Sequence, residues 1–236
     1  MQTTIRAGLL ATVIGLNTAP ALAEFAIDPL PGKFSGNVAL VSDSMFGGIS
    51  QTANNAAVQG NLDWDSPMGM GLSVFASPVN FRDANLATTQ FDLRGHYGGT
   101  TGQFSYEGGA HYFWYPGVPT VKNYDFWAIY GKVGYDFKVA KFETTVFMPD
   151  TFHQLGNAAY FLGTLTVPII DRFKVEGNFG HFLRPQGGKN LTDWNLGAIV
   201  DVFDWFKLDV RYYDSDIKFL GNLADSRVVM KVSRTF

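Results

Sequence analysis

The stretch TTQFDLRGHYG (88–98) alternates without a break. Thr89, Phe91, Leu93, Gly95 and Tyr97 fall on one side; Gln90, Asp92, Arg94 and His96 fall on the other. Successive side chains of an extended chain point to opposite faces, so this is a strand with one apolar and one charged face. The same period returns in AAVQGNLDW (56–64), QFSYEGGAHYFW (103–114) and FKLDVRYY (206–213). Twelve such segments lie near 34–47, 55–64, 70–77, 88–97, 103–114, 125–135, 141–148, 157–167, 173–182, 191–202, 206–214 and 226–236. Most reach the roughly 9–11 residues that a tilted membrane-spanning strand needs.

The connections alternate in length. Short ones (DSPMG, GGTTG, DFKVA, PIIDR, FDW) follow longer ones such as GISQTANN, SPVNFRDANLA and YPGVPTVKNY. An even strand number with this rhythm predicts an all-β, up-and-down antiparallel transmembrane β-barrel of about 12 strands. Short turns are then periplasmic and longer loops extracellular. Trp64, Tyr97, Phe104, Tyr135, Phe173 and Phe206 fall near the short turns; Phe46, Trp114, Trp127, Phe179 and Trp194 fall nearer the long loops. Two aromatic girdles anchor a barrel at both membrane interfaces, a feature that a soluble β-sandwich leaves unexplained.

Composition agrees. The 236 residues include 21 Phe, 10 Tyr, 5 Trp and 26 Gly, and no Cys. The N-terminus carries Arg6, an apolar stretch over 7–16 and Ala21-Leu22-Ala23 before Glu24. That pattern reads as a secretory signal peptide over 1–23, cut after Ala23, with a barrel domain over 24–236. Without cysteines, stability outside the cytoplasm must come from burial and closed backbone pairing. The formal charge of −3 gives no footprint for nucleic acid.

If the apolar stripe faces lipid, the polar stripe lines the lumen. The candidate lumen and rim residues are Asp43, Asp63, Asp92, Arg94, Glu107, His111, Lys132, Glu143, Asp201, Lys207, Arg211 and Arg227. Turn geometry predicts that Arg94 faces Glu107, Gln90 faces His111, Lys132 faces Glu143 and Asp201 faces Lys207. Ring closure would bring Arg227 near Asp43. Phe75, Phe113, Tyr130, Phe147 and Tyr213 point inward and narrow the interior. Barrels of about 8 strands are filled by side chains and those of about 16–18 enclose a channel, so twelve stand between. Both an aqueous path for small polar solutes and a filled barrel acting through its loops fit this pattern.

Catalysis and metal binding find little support. Ser105 and His96 could meet across a hairpin but lack an orienting acid, and Asp150 with His153 is only a pair within one loop. No cysteine and no spaced histidine pair offers a metal site, and no cofactor is expected.

The stretch GNVALVSDSMFGGISQTANNAAVQGNLDW (36–64) carries Asn37, Val38, Leu40, Ser42, Asp43, Phe46, Gly48, Ile49, Ser50, Gln51, Ala57, Gln59 and Gly60. In these it resembles the start of the TorF-like porins of proteobacteria. The resemblance implies an outer-membrane barrel with channel activity and supplies no substrate and no catalytic residue. Ser44, Gly47 and Ala56 stand where that pattern has Tyr, Arg and Pro. The missing Arg leaves Arg227 as the expected partner of Asp43. The C-terminus VVMKVSRTF ends in Phe236, as a strand read by the barrel-assembly machinery would. The expected surroundings are outer-membrane lipid of a Gram-negative cell and small polar solutes.

Overall fold

The computed structural model describes residues 25–27, 30–82, 87–118, 124–150, 159–183, 189–203 and 205–236. The expected signal peptide over 1–23, His153 and parts of four long loops lie outside them. Twelve antiparallel strands follow one another around a ring: β1 (Leu30–Val41), β2 (Ala57–Asp65), β3 (Met70–Pro78), β4 (Thr89–Thr101), β5 (Phe104–Trp114) and β6 (Phe126–Asp136). They continue as β7 (Lys141–Pro149), β8 (Ala159–Ile170), β9 (Phe173–Leu183), β10 (Leu191–Val202), β11 (Phe206–Ser215) and β12 (Arg227–Thr235). A short strand, Phe25–Ile27, folds back on the start of β1.

The ring closes between β12 and β1, with Lys231 opposite Val41 and Thr235 opposite Asn37. Phe236 extends the seam by exchanging backbone hydrogen bonds with Gly36 at 2.7 and 2.9 Å. Closure matters because an unpaired backbone group in hydrocarbon costs several kcal/mol, and only a sheet without edges avoids that cost.

The outer face is largely apolar, with Arg234 a charged exception at the end of β12. Leu40, Val58, Leu72, Ile129, Phe179 and Val228 are exposed, as befits side chains that meet lipid tails. Tyr97, Phe104, Tyr135, Phe206, Trp114, Trp127 and Trp194 stand outward as expected. The charged stripe of β4 points inward, and Asp92 is 2% exposed.

Two hairpins differ from the expected register. GGTTG is not a turn: β4 runs on to Thr101, and the chain reverses at Gly102 and Gln103, where Gly102 takes a φ of +61°. Gly98 and Gly99 are small because the backbone of Tyr106 and its phenol ring press on them. Arg94 therefore lies opposite His111, and Glu107 opposite Gly98, so neither Arg94–Glu107 nor Gln90–His111 forms as a cross-strand pair. At the next turn Asp136 pairs with Lys141, which puts Lys132 opposite Thr145 and Glu143 opposite Gly134 rather than opposite each other. Across β10–β11, Asp201 does face Lys207.

The largest departure is at the first strand. β1 ends at Val41, not near residue 47. Residues 42–56 turn into the barrel and carry a small hairpin, Met45–Phe46 with Ile49–Ser50. Gly47 and Gly48 form its two-residue turn with φ of +54° and +74°, the doubly positive geometry that tight hairpins need. Phe46 is consequently not a girdle aromatic, and Ser44 is not an outward position.

Candidate functional site: the lumen and its internal loop

The lumen is divided along its length. Near the short turns it is a charged network. Asp63 accepts a hydrogen bond from Ser73 at 2.5 Å and lies 3.7 Å from Arg94. Beside them, His96 lies 3.4 Å from Asp65. Glu107 takes Lys132 at 3.4 Å and the Tyr130 hydroxyl, while Lys141 sits 3.1 Å from Glu143. Arg211 holds Glu176 and Asp209, both at 3.0 Å, and donates to Asn195 at 2.7 Å. Lys207 is 3.8 Å from Asp201. Burying charge is costly unless it is paired, and these clusters pair it repeatedly with opposite charge.

Near the long loops the interior is apolar. Phe113, Phe126, Phe147, Tyr160, Phe182 and Leu191 are buried there. The internal hairpin packs into this cluster through Ile49 and Phe46, whose ring lies 6.4 Å from Phe147 and 5.9 Å from Tyr160. Its tip touches the far wall. A Cβ on Gly47 would collide with the Phe182 ring, and one on Gly48 would come within 2.8 Å of Asp193 and Ser215. An arginine at position 47, as in the resembling pattern, has no room here.

Asp43 fastens the hairpin at its root. One oxygen accepts from Ser50 at 2.6 Å and Thr52 at 2.8 Å; the other accepts from Arg227 at 2.7 Å. Arg227 also donates to Asn54 and to the carbonyls of Asn222 and Asp225, so one guanidinium ties 42–56 to the last loop, 216–226. From the second loop, Arg82 reaches Asn222 at 2.6 Å and the Ala53 carbonyl at 3.3 Å. Arg227→Ala should lower the temperature of the heat-induced gel shift and expose 44–54 to protease. The loss is about 1.5–3 kcal/mol, the range for hydrogen bonds to a charged group. An unchanged gel shift and cleavage pattern would remove the latch from this account.

Two predicted residues stand apart. Asp92 accepts from Gln90 at 2.7 Å on one oxygen, and its other oxygen is unpartnered among the described residues. His111 is 1% exposed, with both ring nitrogens unpartnered among the described residues, and it stacks on Phe113 with the edges of Tyr130 and Phe147 against it. Just beyond β5, burial, with Asp92 and Asp125 nearby, pushes the Tyr115 hydroxyl well above the ordinary tyrosine range. Ser105 stands opposite Thr100 and His96 opposite Gly109, so the Ser105–His96 pair does not form. Asp150 accepts from the Trp127 amide at 3.0 Å, and the Asp150–His153 candidate lies partly outside the described residues. Glu176, Asp193 and Lys231 joined the lumen without having been singled out. Strand parity alone could have named them.

One cavity opens beside the hairpin. It has about 430 Å³ of empty space, its open side included, between the hairpin and the wall of β1, β2, β11 and β12. Gln59, Arg211, Tyr213 and Lys231 line it, together with Asp43, Ser44 and Met45.

A closed twelve-stranded sheet, apolar outside and charged within, defines a membrane-spanning β-barrel of porin architecture. The chain belongs to Gcw_chp, a family of bacterial proteins of unknown function, whose model matches residues 28–236. The TorF-like likeness rests on its motif residues alone. No curated protein matches the chain. Among solved structures, the KdgM porin in complex with disordered oligogalacturonate is similar at 9% identity and a TM-score of 0.59, over 86% of this chain and 98% of that one. The NanC porin gives 13% and 0.55 over the same shares. A chain from a study of in-meso crystallization of membrane proteins gives 8% and 0.57, over 86% and 83%. Identities this low speak for a shared fold.

Proposed function

We propose that this protein is an outer-membrane channel of low conductance that passes small polar solutes passively and catalyses no reaction. The observation that carries the reading is the polar cavity beside the internal hairpin, in a barrel whose interior is charged. On this reading the long loops face outward from the cell and the short turns face the periplasm. The chain reaches the membrane after cleavage near Ala23, and Phe236 is the end read by the assembly machinery. The KdgM structure holds oligogalacturonate, a polyanion. Here Arg94, Lys132, Lys207 and Arg211 each have an acid within 4 Å, so these four do not form a ladder of uncommitted cations for such a chain.

A second reading has its own support. The aromatic packing of Phe46 with Phe147 and Tyr160 favours a filled barrel that acts through its loops. Purified protein in planar bilayers separates the two. Small, reproducible current steps are expected, well below those of a wide general porin. Insertion without steps would leave the filled barrel.

A further inference from the structure

The internal hairpin does not sit at the centre of the lumen. It packs its apolar side chains on one wall and meets the other through polar contacts at its root, Asp43 with Arg227 and Ser44 with Gln59. On the far side, β5 to β9 present Phe113, Tyr130, Phe147, Tyr160, Leu162 and Phe182, all buried, and the hairpin joins them through Phe46 and Ile49. Close-packed rings leave no room for water and move only with their neighbours. On the near side, the inward positions of β1 and β12 carry no ring: Ser35, Asn37, Ala39 and Val41 on β1, and Val229, Lys231 and Ser233 on β12. Ala39 and Ser233 are buried despite their size, so longer side chains reach over them. The long inward side chains on this side include Gln59, Lys207, Arg211, Tyr213 and Lys231, all polar, and Gln59 donates to Ser44 at the hairpin's root at 2.9 Å. The described cavity lies on this side.

We infer that the solute path, given the channel reading above, is eccentric: it follows the closure seam, between the internal hairpin and the wall of β1, β2, β11 and β12. The hairpin and the ring cluster seal the remainder of the mouth. Gln59 and Lys231 are then the side chains that a passing solute meets first beneath the loops. They set which small polar solutes enter, Gln59 through its amide and Lys231 through its charge.

The chain has no cysteine, so single substitutions report position cleanly. Gln59→Cys and Lys231→Cys test the seam side; Ala128→Cys and Leu162→Cys test the sealed side. All are compared by heat-induced gel shift to confirm folding, then treated with a sulfonatoethyl methanethiosulfonate. The seam-side variants should lose most of their bilayer current and gain the adduct mass within minutes. The sealed-side variants should keep their current and label at least tenfold more slowly. Equal labelling on both sides, or labelling of the sealed side alone, would overturn the eccentric path. If the labelling contrast holds while unmodified protein carries no current, the channel reading falls and the seam-side opening stands as a blind pocket.

Discussion

Replacing residues 44–54 with a short Gly-Ser turn should raise the single-channel conductance severalfold. Val41 and Ala57 are already paired, so a tight turn can join β1 to β2 without disturbing the barrel. The deletion removes Phe46 and Ile49 from the ring cluster, together with the Asp43 contacts to Ser50 and Thr52. Phe147, Tyr160 and Phe182 lose the ring and backbone that cover them, and the mouth widens toward the far wall. The strand ladders are untouched, so the shortened protein should still show a heat-induced gel shift. Planar-bilayer recordings of both forms at the same salt give the comparison. Equal conductance would mean that the hairpin does not limit the path.

The second large effect is expected at Arg211. Arg211→Leu should destabilise the barrel by about 3–5 kcal/mol, because it strands buried carboxylates that its guanidinium now neutralises. Glu176 and Asp209 each lie 3.0 Å from that guanidinium, and Arg211, Glu176 and Asp209 are all less than a tenth exposed. Asn195 would also lose its donor. Urea unfolding in detergent micelles should show the loss as a lower midpoint. Adding Glu176→Gln and Asp209→Asn should recover much of it, since no buried charge is then left unpaired. A triple variant no more stable than Arg211→Leu would show that lost packing, not stranded charge, explains the effect.

These two sites show where sequence reading succeeds and where it stops. The Arg211 face was legible in FKLDVRYY, because a two-residue period fixes which side chains share a face whatever the register. Register was less legible. Asp201 opposite Lys207 followed from a short turn with one reading. Arg94 opposite Glu107 failed because Gly98 and Gly99 look like turn residues. Their smallness answers instead to the close approach of Tyr106 from the neighbouring strand. No local pattern distinguishes a glycine that turns from a glycine that yields space. The four-residue slip kept every face correct and changed every partner, so His111 met Arg94.

The internal hairpin marks the firmer limit. Asp43 with Arg227 signalled the seam, from residues 184 apart in the chain. Nothing local says that residues 42–56 turn inward rather than outward. That choice belongs to side chains met across the lumen: Phe147 and Tyr160 offer rings for Phe46, and Asp193 and Ser215 leave space only for a glycine at position 48.

By itself, then, the sequence determined the strands, their faces, their number and the closure of the ring, because alternation and backbone pairing are properties of neighbouring residues. Tertiary structure alone decided which charges pair, where the lumen is sealed and on which side it stays open. Those outcomes depend on side chains that meet across the barrel, and such distances are set only when all twelve strands have closed around them.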